Sequence, residues 1–137
     1  MEKSKKAMYI FEFDICQCQE NGYMHSKKGK KNSFKVTNDH IKIGETSDYE
    51  GRLKGYNTTY KCSFCRKINV KEYKSWEVDF DKKTREDIET EIKKEFPHLH
   101  EGGKLEYYRM TKGSDKEKIK SKMQELIDQK NSNKFKD

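Results

Sequence analysis

Four cysteines fall into two pairs whose spacing suits metal binding. One residue separates Cys16 from Cys18, and two residues separate Cys62 from Cys65. Four thiolates can close a tetrahedral zinc site if the fold brings the two pairs together. Cys-x2-Cys is a common half of such a site, whereas Cys-x-Cys is atypical. The sequence therefore leaves two interpretations open, a structural Zn²⁺ site and unligated thiols in a reducing compartment.

A second series of polar residues combines phenols, cations and a carboxylate. In chain order these are Tyr9, Lys42 within Ile-Lys-Ile-Gly at residues 41–44, Arg52 eight residues after Gly44, Tyr56 four residues later, and Glu89 within Ile-Glu-x-x-Ile. The series resembles the GIY-YIG nuclease superfamily, especially the phage and large-DNA-virus branch that has KIG in place of YIG. That branch has a late Glu-Trp-Phe strand, which Glu106-Tyr107-Tyr108 matches here. The resemblance covers roughly residues 8–111.

The chain also departs from the family pattern. Met8-Tyr9 stands where the family has Ile-Tyr, and Lys42 occupies the place of the second tyrosine. The loop between the two motifs is much longer than usual, and the terminal asparagine of the family has no clear match. These departures bear more on catalysis than on the fold.

The resemblance implies hydrolysis of a phosphodiester bond, with each residue in a role that suits its chemistry. Arg52 would form bidentate hydrogen bonds to the scissile phosphate and stabilise transition-state charge. Tyr9 would relay or accept the proton of the attacking water, and Lys42 would stabilise the phenolate or the phosphate. Tyr56 would hydrogen-bond the nucleophile or the phosphate, with packing in the core as its alternative role.

The resemblance further implies that Glu89 holds one Mg²⁺ or Mn²⁺ through a single carboxylate. The same helix carries other acids that compete for this role: Glu86, Asp87 and Glu91. Only its position before Ile92 and Phe96, as in the family's helix, selects Glu89. Glu45, directly after Gly44, is a further candidate that either binds metal or points to solvent.

A lysine-rich segment lies between the first two motifs. Residues 27–35 hold five lysines and no acid. Four of them, together with a lysine near Arg52, are our candidates for contacts to backbone phosphates: Lys27, Lys28, Lys30, Lys31 and Lys54. A solvated basic loop is the alternative. No aromatic or arginine interleaving indicates readout of base sequence.

The composition limits the classes of protein that the chain can belong to. A net charge of +7 favours a polyanionic partner, here DNA, with RNA left open. The longest apolar run, residues 7–11, is far too short to span a membrane, so we expect a soluble intracellular protein of the cytoplasm or nucleus. Abundant Lys and Asn are compatible with viral origin. Only 31% of the residues are hydrophobic, but 12% are aromatic, which predicts a small aromatic core.

The local patterns predict four strands and three helices. The strands lie at residues 8–15, at 40–44 (ended by Gly44), within 67–80 as one or two strands, and at 105–110. A first helix is capped by Ser47 or Asp48 and runs to about Tyr56. A second begins at a capping box at Thr84 and stops at Pro97, and a third begins at Ser114 and buries Ile119, Met123, Leu126 and Ile127.

These elements predict an α+β fold, a small mixed and mainly antiparallel sheet flanked by helices in a single domain. We expect a flexible N-terminus at residues 1–6, a domain at 7–129 with a basic insertion at about 19–38, and a disordered tail at 130–137. The leading hypothesis is a small metal-dependent DNA endonuclease. A catalytically degenerate nucleic-acid-binding module of the same fold and a zinc-stabilised interaction protein are the alternatives. Monomer and homodimer are both left open.

Overall fold

A computed structural model describes residues 5–18, 24–25, 35–101 and 106–134 of the chain. Its strands are β1 (Ala7–Phe13), β2 (Met24–His25), β3 (Lys35–Val36), β4 (His40–Thr46), β5 (Val70–Glu77), β6 (His100–Glu101) and β7 (Tyr107–Arg109). Its helices are α1 (Tyr49–Thr59), α2 (Lys82–Glu95) and α3 (Asp115–Lys134). This arrangement confirms the predicted α+β class in one small domain.

Five strands form the main sheet in the order β5-β1-β4-β7-β6. Every described pairing in it is antiparallel, so the prediction of a mixed sheet is wrong. β4 continues through Gly44 to Thr46, because the strand pairs with β1 along its whole length and Gly44 lies opposite Tyr9. Gly44 is therefore not the strand end that we predicted. The 67–80 segment supplies one strand, and β1 ends at Phe13 instead of residue 15.

Side chains of β1 alternate between two buried layers, as the period of a strand requires. Met8 and Ile10 pack in the larger core with apolar residues of α2 and α3. Tyr9 and Phe11 point to the opposite face, where the side chains of α1 cover them. The predicted small aromatic core is this second layer, and it lies directly beneath α1.

The helices begin at caps that the sequence indicated only in part. Of the two predicted caps for α1, Ser47 and Asp48, Asp48 is the one that accepts a hydrogen bond from the Gly51 N–H, and α1 runs on to Thr59. The predicted capping box at Thr84 is wrong, because Asp81 caps α2 and its carboxylate accepts from the Thr84 N–H. The side chain of Asp115 accepts from the N–H groups that precede α3.

Two of the predicted boundaries need correction. The carbonyls of Lys5 and Lys6, placed in a flexible N-terminus, accept hydrogen bonds from the Tyr49 and Val78 N–H groups. α3 continues to Lys134, past the tail boundary at 130, while its four predicted apolar residues are buried as expected. Residues 1–4 and 135–137 lie outside the described residues.

The predicted basic insertion is not a plain loop where the structure describes it. β2 and β3 pair as a separate two-stranded sheet within residues 19–38. The rest of the insertion up to residue 34 lies outside the described residues.

None of the described helices has the length and apolarity needed to cross a membrane.

Candidate active site and cysteine cluster

Tyr9, Arg52 and Tyr56 meet at the face of the sheet covered by α1, and we call them the phenol–guanidinium cluster. The Tyr9 and Tyr56 hydroxyl oxygens are 3.2 Å apart. Arg52 Nη1 donates to the Tyr9 hydroxyl over 3.3 Å. Arg52 and Tyr56 lie four residues apart and so share one face of α1. The structure thus brings together three of the five predicted catalytic residues, with Tyr9 buried and Arg52 exposed to solvent.

Gly44 makes room for this cluster. A Cβ atom at Gly44 would lie 2.1 Å from the Tyr9 hydroxyl oxygen and 2.3 Å from Tyr9 Cζ. Any larger residue would push the phenol ring out of its place across β4. Residue 44 must therefore be glycine for close approach, a requirement that the sequence analysis missed.

The environment of Tyr9 keeps its hydroxyl protonated. Burial raises the pKa of the Tyr9 phenol far above its ordinary value, and the neighbouring Tyr56 raises it further. The Arg52 guanidinium acts in the opposite direction without reversing the result. In this arrangement Tyr9 is a hydrogen-bonding group, and the cation beside it is Arg52.

A groove of about 460 Å³ runs beside Arg52 and Tyr56. Gly51 and Gly55 form part of its wall on α1, and Thr46 and Ser47 approach from the end of β4. Without side chains at the two glycines, an elongated ligand can come close to the helix backbone and to the exposed guanidinium.

Lys42 lies on β4, opposite Phe11 of β1 and Tyr107 of β7. Its Nζ is 5.2 Å from the centroid of the Tyr107 ring, within range of a cation–π interaction. Its charge also lowers the pKa of the Glu89 carboxyl. Lys42 thus lies between the Tyr107 ring and the Glu89 carboxylate.

Glu89 lies on α2 near two other acids, and we call Glu45, Glu89 and Glu106 the carboxylate cluster. Desolvation, followed by the charge of Glu106, raises the pKa of Glu89 to about 7. Glu45 contributes in the same direction. Across the described residues, Glu89 is the one acid of the cluster without a lysine or arginine nitrogen within 4.0 Å, since Glu106 pairs with Lys93 at 2.8 Å.

Glu45, a candidate metal ligand from the sequence, has a different partner. Arg85 Nε donates to the Glu45 carboxylate over 2.7 Å, and both side chains are almost fully buried. Arg85 Nη1 also donates to the Phe80 carbonyl over 2.6 Å. The sequence analysis missed Arg85, because its position in a helix does not indicate that it will be buried and paired with a glutamate of β4.

The two clusters lie on opposite faces of the sheet at the same stretch of β4. Leu53 and Tyr56 of α1 pack on the face of Tyr9, whereas Ile88 and Ile92 of α2 pack on the face of Met8. In the part of the chain that the structure describes, β7 pairs with β4 up to Lys42, and the Ile43 N–H still donates to the Glu106 carbonyl over 3.0 Å. Residues 44–46 therefore form the described sheet edge between the phenol–guanidinium cluster and Glu89.

The four cysteines form a single cluster at the end of β1 and after α1. The thiol sulfurs of Cys16, Cys18, Cys62 and Cys65 all lie within 4.8 Å of one another. A tetrahedral zinc site with Zn–S bonds of about 2.3 Å has sulfurs about 3.8 Å apart, which this cluster approaches. Among the described residues, no other group of three or more His, Cys, Asp or Glu side chains has such geometry.

The surroundings of the cysteines favour a thiolate. The N–H groups of Phe64 and Cys65 both point at the Cys62 sulfur over 3.4 Å, and these hydrogen bonds, that of Cys65 foremost, lower the pKa of Cys62 to about 6. Hydrogen bonding to Cys65, followed by desolvation, raises the pKa of Cys18 to about 11. A cation bound by the sulfurs would take the place of that thiol proton, because a metal ligand must be the thiolate.

Asn69 and Arg66 complete the cluster, and the sequence analysis missed both. The buried Asn69 side chain accepts from the Cys16 N–H over 2.9 Å, and its amide donates to the Cys16 sulfur over 3.7 Å. Arg66 follows the second cysteine of the pair with a φ of 65°, a conformation that closes the turn. Residues outside a Cys-x2-Cys motif carry no sequence signal of such a role.

The predicted phosphate-binding lysines are described only in part. Lys54 is exposed on α1, the helix that carries Arg52. Lys27, Lys28, Lys30 and Lys31 lie outside the described residues.

No protein-family model, curated protein or solved structure matches the chain.

Proposed function

We propose that the chain is a small metal-dependent DNA endonuclease of the GIY-YIG type. The observation that supports it best is the phenol–guanidinium cluster, where Arg52 contacts the Tyr9 hydroxyl beside an open groove. An exposed guanidinium at such a groove suits a phosphodiester, because its planar donors match two phosphate oxygens. The net charge of +7 is in keeping with a nucleic-acid substrate.

Each residue then has a role that fits its environment. Arg52 binds the scissile phosphate and stabilises the charge that develops in the transition state. Tyr9 stays protonated and positions the Arg52 guanidinium through its buried hydroxyl, since its raised pKa makes it a poor base. Tyr56 fixes the Tyr9 hydroxyl from the other side.

Glu89 is the residue that would hold Mg²⁺ or Mn²⁺. Its carboxylate lies near two other acids, each with a cationic partner, so a divalent cation would offset their repulsion. When bound, such an ion lowers the pKa of its water and neutralises phosphate charge. Lys42 would favour the ionised form of Glu89 before metal binds.

A plasmid-nicking assay tests this function directly. The native chain should nick supercoiled DNA with Mg²⁺ or Mn²⁺, and Arg52→Ala should slow the reaction roughly 10²- to 10³-fold, the usual loss for one donor to transition-state charge. Glu89→Gln should abolish nicking at every concentration of Mg²⁺ or Mn²⁺. Arg109→Ala and Glu91→Gln are matched controls, because both residues are exposed and lie outside the two clusters.

A nucleic-acid-binding module without cleavage is the second candidate. Two points support it: by the family resemblance Lys42 occupies the position of a second tyrosine, and burial keeps Tyr9 protonated. This candidate predicts salt-sensitive DNA binding by the native chain with no nicking under any metal. Nicking that is lost in both Arg52→Ala and Glu89→Gln would exclude it.

We further propose that the cysteine cluster binds one structural Zn²⁺. The four sulfurs, the N–H groups aimed at Cys62 and the Asn69 contacts fit a closed four-thiolate site. When bound, the ion ties the exit of β1 to the turn after α1. Metal analysis of the purified chain should find about one zinc per chain and none in Cys62→Ser. A zinc-stabilised interaction protein would share this zinc but would neither nick nor bind DNA.

A further inference from the structure

Phe64 is exposed at the tip of the turn between Cys62 and Cys65. It is 81% exposed, and in the described part of the chain Ile68 at 46% is the only other exposed large hydrophobic residue. Large aromatic side chains are mostly buried in proteins of this size. Phe64 therefore contributes little to the core, although it presents the largest apolar surface of its segment.

The turn that carries Phe64 is held by its own hydrogen bonds. The Cys62 N–H donates to the Lys67 carbonyl over 2.8 Å, and the Arg66 N–H donates to the Cys62 carbonyl over 3.0 Å. Lys61 and Ile68 pair across the base of the turn. The ring thus projects from a fixed backbone, so binding a partner costs little ordering of the chain.

The charges around Phe64 indicate which kind of partner can bind there. Residues 61–70 include Lys61, Arg66 and Lys67 but no acid. All three cations are exposed, and Lys67 pairs with Asp14 at 2.9 Å. An aromatic ring between cations is the usual combination for nucleic acid, since a base stacks on the ring while phosphates meet the cations.

We propose that Phe64 stacks on an unpaired nucleobase of the DNA substrate while Lys61 and Arg66 contact the flanking phosphates. This inference rests on the proposed function, because it assigns a second contact to the same DNA. From Arg52 to Thr59 the helix advances by about 10 Å, which is on the order of three nucleotides of one strand. Phe64 follows the end of this helix in the chain, so we assign the stacked base to a nucleotide other than those at the scissile phosphate.

The first test compares Phe64→Ala, Phe64→Tyr and Ile68→Ala in the zinc-loaded full chain. Affinity is measured by fluorescence anisotropy without Mg²⁺ or chelator, on a fully paired duplex and on one with a single unpaired 2-aminopurine. Phe64→Ala should weaken binding to the unpaired substrate roughly 5- to 150-fold and should abolish quenching of the 2-aminopurine. Phe64→Tyr should behave as the native chain. Ile68→Ala controls for lost apolar surface in the same turn.

A salt titration separates stacking from charge. Phe64→Ala should leave the slope of log affinity against log salt unchanged, whereas Arg66→Ala should reduce it by about one. If Phe64→Ala binds both substrates as tightly as the native chain does, and the native chain still nicks plasmid, the stacking contact is wrong and the nuclease assignment stands. If the native chain neither binds nor nicks any DNA, the nuclease assignment fails and the stacking contact fails with it.

Discussion

The two candidate metal-binding regions of the chain differ in how much of each site the protein supplies. The cysteine cluster brings four sulfurs within 4.8 Å of one another and aims backbone N–H groups at one of them. The candidate active site offers Glu89 on one face of the sheet and the phenol–guanidinium cluster on the other. A metal that stabilises a fold needs a complete ligand set, whereas a metal that acts on a substrate keeps positions for water and phosphate.

The largest expected effect is the loss of stability when zinc is removed. At free zinc about 1,000-fold above its dissociation constant, binding adds about 4 kcal/mol to the free energy of unfolding. A chelator should therefore lower the melting temperature of the native chain steeply in calorimetry. Cys62→Ser should melt at the lower temperature and no longer respond to chelator. Equal melting curves of the native chain with and without chelator would show that the cysteine cluster holds no structural metal.

The next effect concerns the phenol–guanidinium cluster, which close packing holds in place without a metal. Gly44→Ala forces Tyr9 to move, and overpacking of this kind costs about 1–3 kcal/mol of unfolding free energy. Gly55→Ala is the matched control, because no atom lies within 4 Å of its added Cβ. In an exposed helix, alanine is more stabilising than glycine by about 1 kcal/mol. Urea denaturation should give opposite signs for the two variants. A Gly44→Ala variant as stable as the native chain would mean that the position of Tyr9 does not depend on Gly44.

These residues also show what the sequence could predict. The strands with Tyr9 and Lys42, the Asp48 cap and the apolar face of α2 follow from local patterns, and the structure confirms them. The cap of α2 was predicted at Thr84 but is Asp81, because the path of the chain after β5 begins the helix three residues earlier.

Contacts between distant segments were harder to predict. From the sequence Arg85 has the pattern of a surface residue, but in the fold it pairs with Glu45. Gly44 has the pattern of a turn residue, but in the fold the Tyr9 ring packs against it. The meeting of the two cysteine pairs depends on β1 and α1 ending near each other, which no local pattern encodes. Candidate site residues could therefore be chosen from the sequence by their chemical type, whereas their contacts with distant segments could not.

A smaller effect should appear in the pH dependence of nicking. The pKa of Glu89 is raised to about 7, so the carboxylate that would bind metal is lost as the pH falls through that value. Below pH 7 the rate should fall about tenfold per unit. Glu106→Gln removes one repelling charge and should move the midpoint to lower pH, as should a higher Mg²⁺ concentration. Glu91→Gln should leave the midpoint in place. An unshifted profile in Glu106→Gln would mean that Glu89 is not the carboxylate that holds the metal.

The smallest effect should come from the ion pair between Asp14 and Lys67, which joins the same two segments as the cysteine cluster. The pair is 2.9 Å long but exposed, so water and salt screen it. Lys67 lowers the pKa of Asp14, and the contribution of the pair is therefore fully present at neutral pH and is lost only as the pH falls through that lowered value. Lys67→Ala should leave the melting temperature of the zinc-loaded chain nearly unchanged at physiological salt. A loss as large as that caused by chelator would mean that the ion pair holds the exit of β1 against the turn after α1 as strongly as the cysteine cluster does.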